Sequence, residues 1–265
     1  MTLKEEFIIL GYTKDDYDAI RNSYPISSIK DETLIEKVRD NYSFLLKLGY
    51  KREEIIKITK SLPEIYGYST RTIEQKMKDM ISLGYTKEEV IRMTKNSPSI
   101  YSYSIETIKK KIDDIISLGY TRKEVIKMTK GLSQIYGYSI EGIKQKIDDM
   151  ISLGYTRKEV INMTKDLPAI YGYSKKNMKQ KKDFYDSIGL HELVSVDPKQ
   201  LIQSVNLSYA RYCFYKDKEI DIDMNNYRKL FVREDQFEKS NGITKQELIE
   251  KYDYDKYEEQ RKMNL

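Results

Sequence analysis

The chain has 265 residues, 39% of them apolar and 34% charged, with a formal net charge of +5 and a mean hydropathy of -0.68. That is polar for a single spherical core of this size and points to an elongated architecture with much surface per residue. Its 30 aromatic residues and regular Ile, Leu and Met spacing exclude wholesale disorder. From the start of the chain, the longest early apolar run, Phe7 to Leu10, follows Glu5 and Glu6. That run is neither a signal peptide nor a membrane span. The one cysteine, Cys213, leaves no internal disulfide to form. Together these point to a soluble, cytoplasmic protein.

Internal repetition is the strongest signal. Gly-Tyr recurs at Gly49, Gly84, Gly119 and Gly154 with a period of 35, and Gly189 closes the fourth full unit. Residues 1–48 read as a degenerate repeat that caps the N-terminal end, with its own glycine at Gly11. Residues 49–188 form four 35-residue repeats, and 189–265 a further degenerate repeat and a C-terminal cap. Pro198 and Ser204 keep the separation of Pro168 and Ser174, and Gly242-Ile243-Thr244 echoes the glycine turn once more. The count is six to seven units with degenerate ends, as stacked repeats require.

Within a unit, Thr86-Lys87-Glu88-Glu89 is a capping box that opens a first helix through Val90, Ile91 and Met93. Pro98 marks the end of that helix, because the residue before proline disfavours helical geometry. Ile100 to Tyr103 form a short connector, and Ser104 caps a second helix. Ile105, Ile108, Ile112, Ile115 and Leu118 make one apolar stripe on it, and Gly119 supplies a left-handed exit. The expected fold is all-α, a superhelical solenoid of about 35-residue helix-turn-helix repeats whose apolar faces only neighbouring repeats can cover.

A unit reading Leu-Gly-Tyr-Thr-x-x-Glu-Val-Ile, then Pro-x-Ile-Tyr-x-Tyr-Ser, then a lysine-rich helix, resembles the repeat of the mTERF family, the mitochondrial transcription termination factors. The match spans about residues 8 to 216, most tellingly at Pro63, Pro98 and Pro168 with Ser69, Ser104 and Ser174 six residues on. The resemblance implies a left-handed, half-doughnut solenoid that binds double-stranded DNA, or structured RNA, along a basic concave face without enzymatic activity. The chain departs from it in three ways: no transit peptide, unusually similar units, and Ser133 in place of the third proline. The Ile-, Lys- and Tyr-rich composition looks more like a low-GC bacterium or phage than a mitochondrion. A weaker likeness is to TAL-effector-type repeats, which read one base per unit after the first helix; a glycine-rich loop there stands where this chain has proline, and no base code transfers.

Charge is uneven: residues 49–188 hold 27 Lys and Arg against 18 Asp and Glu, while both flanks are mildly acidic. That distribution suits an anionic ligand held by the middle repeats. Two lysine rows recur. Lys60, Lys95, Lys130 and Lys165 end the first helices, where a cation is also favoured by the helix dipole; Lys76, Lys111, Lys146 and Lys181 lie in the second helices. Arg122 and Arg157 share a repeat position and are candidates for bidentate phosphate or guanine contacts, whereas Arg71 and Arg92 fall elsewhere, so no row of arginines is implied. Ser61, Asn96, Gly131 and Asp166 vary in an otherwise constant frame and are the candidate base-reading positions. The three tyrosines of each full unit sit in a fixed phase beside Pro and Ile, which argues for packing between units.

No catalytic residue is assigned: His191 and Cys213 lack an orienting group, and no phosphate loop or His/Cys metal spacing occurs. No cofactor, metal or membrane partner is expected. The function expected is non-enzymatic nucleic-acid binding, with double-stranded DNA favoured over RNA, regulating transcription or a related process by occupancy. The alternative is a protein-interaction solenoid that serves as adaptor or inhibitor of an acidic partner.

Overall fold

The computed structural model describes residues 1–263. It is all-α, and no strand occurs among the described residues. The chain divides into two compact units, Met1–Ile140 and Glu141–Leu265.

The first unit holds α1 (Leu3–Ile9), α2 (Lys14–Arg21), α3 (Asp31–Leu48), α4 (Arg52–Ser61), α5 (Thr70–Ser82), α6 (Lys87–Asn96), α7 (Ile105–Ser117) and α8 (Arg122–Gly131). Helices α2, α4, α6 and α8 are the first helices of their repeats. The capping box at α6 is built as its residues demand: the Glu89 amide donates to Thr86 Oγ1 at 3.2 Å and the Thr86 amide to Glu89 Oε2 at 2.9 Å. At α4, Lys51 replaces the threonine, and its amide still donates to Glu54 Oε2 at 2.8 Å. Ser104 caps α7, Ile108, Ile112 and Ile115 are buried as one stripe, and Leu118 is half-buried. Gly119 ends the second helix at φ +102°, a backbone region that a Cβ disfavours.

Each first helix leads into a 3-10 turn, at Ile26–Ser28, Pro63–Gly67, Pro98–Ser102 and Ser133–Gly137. The last of these forms without proline. Leu132 has a φ of -139°, beside -138° at its counterpart Leu62 and -142° at Ser97, its amide donates to Met128 O, and the buried Ser133 takes the proline's place. The turn is therefore set by packing of the buried Ile135 and Tyr136 as much as by the imino ring.

Neighbouring repeats are joined by a buried hydroxyl chain used three times in this unit. Tyr50, after the glycine, meets Thr94 of the next first helix at 2.5 Å and Tyr101 of the next 3-10 turn at 2.8 Å. Thr94 donates its proton to Val90 O at 2.9 Å, so Tyr50 donates to Thr94 and Tyr101 to Tyr50. Tyr12, Thr59 and Tyr66 repeat the arrangement, as do Tyr85, Thr129 and Tyr136. The first two tyrosines of the repeat are thus interface packing groups.

The second unit holds α9 (Ile140–Ser152), which starts at its border, then α10 (Arg157–Asp166), α11 (Lys175–Ser187), the short α12 (Leu193–Val196), α13 (Val205–Lys216), α14 (Glu234–Asn241), α15 (Lys245–Lys251) and α16 (Tyr254–Met263). The degenerate repeat keeps its 3-10 turn at Pro198–Ile202 and its Ser204 cap. Helices α15 and α16 cover α13. Buried Arg211 on α13 donates through Nη1 to Leu230 O at 2.9 Å and Val232 O at 2.6 Å, and its guanidinium lies 4.5 Å from the Phe237 ring centre. A single side chain thereby clamps the segment around Tyr227–Phe231 to the last repeat.

Candidate nucleic-acid interface

The first helices share one sequence pattern at i, i+4 and i+8: Arg52-Ile56-Lys60, Lys87-Ile91-Lys95, Arg122-Ile126-Lys130 and Arg157-Ile161-Lys165. That spacing puts a cation, an isoleucine and a second cation on one stripe of each helix. The isoleucine is half-buried in all four, and in α4 and α6 it leans on the glycine turn of the preceding repeat: a Cβ on Gly11 would stand 3.5 Å from Ile56 Cδ1, and one on Gly49 3.7 Å from Ile91 Cδ1.

The cation closing the stripe reaches back one repeat. Lys60 pairs with Asp16 at 2.5 Å, Lys95 with Glu54 at 2.7 Å and Lys130 with Glu89 at 2.8 Å. Each acid is the third residue of the preceding first helix, so one carboxylate caps its own helix and anchors the next. Lys60 holds the Asp16 carboxyl below its ordinary range, Lys130 does so for Glu89, and for Glu54 the Lys51 amide leads with Lys95 next. Lys165 occupies the same place at the end of α10. The dipole and these pairs both account for lysine in this row.

The cation opening the stripe sits at the other pole of its helix. Sequence comparison among arginines alone brings out Arg122 and Arg157; counting lysine as well shows Lys14, Arg52 and Lys87 at the same first-turn position. All five are exposed. A positive side chain in the first turn opposes the helix dipole, at roughly 0.3–1 kcal/mol each. Arg52 donates to the Tyr42 hydroxyl at 3.2 Å and to Ile9 O at 3.3 Å. Among the described residues no carboxylate forms an ion pair with Lys87 or Arg122.

The second lysine row is placed differently. Lys76 donates to Tyr103 O at 2.9 Å, Lys111 to Tyr138 O, Lys146 to Tyr173 O and Lys181 to Leu201 O. Lys37 of α3 does the same to Gly67 O at 2.8 Å. These ammonium groups satisfy carbonyls at the turn of the following repeat. Lys76, Lys111 and Lys146 are half-buried and Lys181 is 4% exposed. Burial lowers the pKa of Lys76 and Lys181. The spacing of this row reports a structural staple, and its charge is directed into the repeat interface.

Ser61, Asn96, Gly131 and Asp166 are the last residues of α4, α6, α8 and α10, and all four are exposed. Asn96 O accepts from Gln134 Nε2 at 3.2 Å. Asp166 borders a cleft with Pro198 and Lys199. Arg71 and Arg92 are exposed. The third tyrosine of the repeat is half-buried, and in two repeats a staple lysine lies over its ring, Lys76 at 5.8 Å from Tyr68 and Lys181 at 4.9 Å from Tyr173.

His191 is exposed, with Nδ1 3.5 Å from Asp186, while burial pushes the Cys213 thiol up, away from the thiolate form. Among the described residues, no three His, Cys, Asp or Glu side chains gather as a metal site, and no helix is long and apolar enough to cross a membrane. What the stripes offer chemically is charge and contact area.

Residues 20–151 match the mTERF family model, a stretch that runs from the end of α2 almost to the end of α9. No curated protein matches the chain.

Proposed function

From the premise that this chain carries mTERF-family helical repeats, we propose that it binds double-stranded DNA through the basic stripes of its first helices and regulates transcription, or a related process, by occupancy. Proteins of that family bind nucleic acid, and this general property extends to the chain. One observation supports the finer reading above others: Lys14, Arg52, Lys87, Arg122 and Arg157 recur at an exposed position where the helix dipole disfavours a cation, a cost that an external anion would offset. Phosphates are contacted by these residues, with Lys60, Lys95, Lys130 and Lys165 lending partly neutralised charge along the same stripe. Ser61, Asn96, Gly131 and Asp166, next in sequence to those lysines, are the positions at which repeats differ beside the ligand. The second row, Lys76 to Lys181, acts by holding repeats in register.

Fluorescence anisotropy against labelled duplex DNA, single-stranded DNA and structured RNA tests this. We expect salt-sensitive saturation with duplex preferred. Replacing Arg52, Lys87, Arg122 and Arg157 by Gln should flatten the dependence of log K on log salt by roughly one unit per cation that meets a phosphate, with the thermal melt preserved. RNA preferred over duplex would correct the ligand, and absence of binding at low salt would sink the reading. The protein-partner reading draws on one feature of the first unit: Ile8, Leu46 and Ile81, each three residues before its turn glycine, are 48%, 41% and 42% exposed. An acidic partner seated there would bind with shallow salt dependence and resist competition by bulk DNA.

A further inference from the structure

We propose that a cleft between the Gly84 turn and α8 is a phosphate-binding site that anchors one phosphodiester of the bound nucleic acid. The source of the phosphate, though not its chemistry, rests on the reading above. The repeats of the first unit should be alike at this place, and they are not. Ile56 closes on Gly11 and Ile91 on Gly49, whereas a Cβ on Gly84 would meet nothing within 4 Å. An open cleft of about 540 Å3 lies there, with Gly84 and Ile126 on its walls and Arg122, Lys123, Lys127 and Lys130 around it. That volume accommodates a phosphate with its sugar.

Charge changes at the same place. The second residue of the first helix is Glu53 in α4 and Glu88 in α6, but Lys123 in α8, a swing of two charges at one position. Lys130 is neutralised by Glu89 at 2.8 Å, while neither Arg122 nor Lys123 has a carboxylate ion partner among the described residues. Like charges gathered around an opening repel one another until an anion enters. Arg122 offers a planar fork matched to two phosphate oxygens and Lys123 a mobile point charge, the two complementary means of holding a phosphate. The apolar wall at Ile126 suits the sugar edge of a nucleotide better than it suits a bare, hydrated ion. Within the first unit, opening and charge reversal thus coincide at this one repeat, while Lys158 carries the same charge on α10.

Lys123→Glu restores the acid that α4 and α6 already carry, so the repeat itself shows that the substitution is compatible with folding. Lys158→Glu makes the same charge change at the same repeat position on α10 and is the control. We expect Lys123→Glu to weaken duplex binding about tenfold and to flatten the salt slope by roughly one, with a several-fold smaller effect of Lys158→Glu. Equal losses in the two variants, or none in Lys123→Glu, would overturn the site while leaving nucleic-acid binding standing. A second readout does not depend on DNA: inorganic pyrophosphate should shift the Ile126 δ-methyl resonance saturably in the unsubstituted protein, beyond any shift at Ile56 or Ile91, and not in Lys123→Glu. If that shift occurs in a protein that binds no nucleic acid, the phosphate site stands and its ligand is a free phosphorylated molecule. No selective shift at Ile126 overturns the site outright.

Discussion

Lys181 shows how one side chain can carry either of two meanings in a repeat. A lysine at a constant position on a charged helix has the signature of a phosphate ladder, yet its ammonium lies 4% exposed against Leu201 O. Removing it leaves a carbonyl unsatisfied at the turn of the next repeat. Lys181→Met keeps the aliphatic stem and should cost about 1–3 kcal/mol in denaturant unfolding. Lys144→Met, at an exposed position of α9, should stay within about 0.5 kcal/mol. If the fold alone uses Lys181, DNA affinity of the folded Lys181→Met protein is unchanged. The first-turn cations reverse the case: Lys87 and Arg122 are exposed, and the field of their own helices disfavours them.

At the scale of the element, a first helix does three jobs with one turn of sequence. Thr94 on α6 bonds its own backbone and accepts the hydroxyl chain from Tyr50 and Tyr101, linking the helix to the turns on either side. Burial raises the pKa of these hydroxyls: Tyr12 is pushed up to about 12, and Tyr50, Tyr85, Tyr101 and Tyr136 also rise. Their folded values exceed the unfolded value of about 10, so the native state retains protons that the unfolded chain releases. Stability is therefore full below about pH 10 and declines as pH climbs through the raised values. Tyrosinate absorbance should show these groups ionising together with the loss of helical circular dichroism rather than before it. Tyr85→Phe should lower neutral stability by about 1–3 kcal/mol, because Thr129 and Tyr136 lose a partner, and should make the alkaline decline less steep.

Over the repeats of the first unit the acids that cap first helices also bind neighbouring repeats, which ties the stability of the molecule to pH at the other end of the scale. Asp16, Glu54 and Glu89 have folded pKa values below their unfolded ones. Their contribution is present above roughly pH 4.5 and is lost as pH falls through the lowered values. A melting-temperature series across acidic pH should drop in that window. Replacing Asp16 by Asn and Glu54 and Glu89 by Gln should lower Tm at neutral pH and flatten the drop; an unchanged slope would mean that the lysine pairs in solution do not persist.

The all-α repeat class, the helix starts at Thr86 and Ser104, the apolar stripe at Ile108, Ile112 and Ile115, and the glycine exits were legible in the sequence because each depends on neighbours within a few residues. Periodicity also made the recurrence of both lysine rows plain. Which row faces solvent was not legible, because that depends on where the next repeat's carbonyl lies: Lys76 meets Tyr103, 27 residues on. The same holds for the last 3-10 turn of the first unit, which forms around Ser133 without a proline because Ile135 and Tyr136 are buried by their surroundings. Local order is written in the chain as spacing and caps. The division of identical lysines into staples and surface charge, and the opening at Gly84, arise only when one repeat is laid against another.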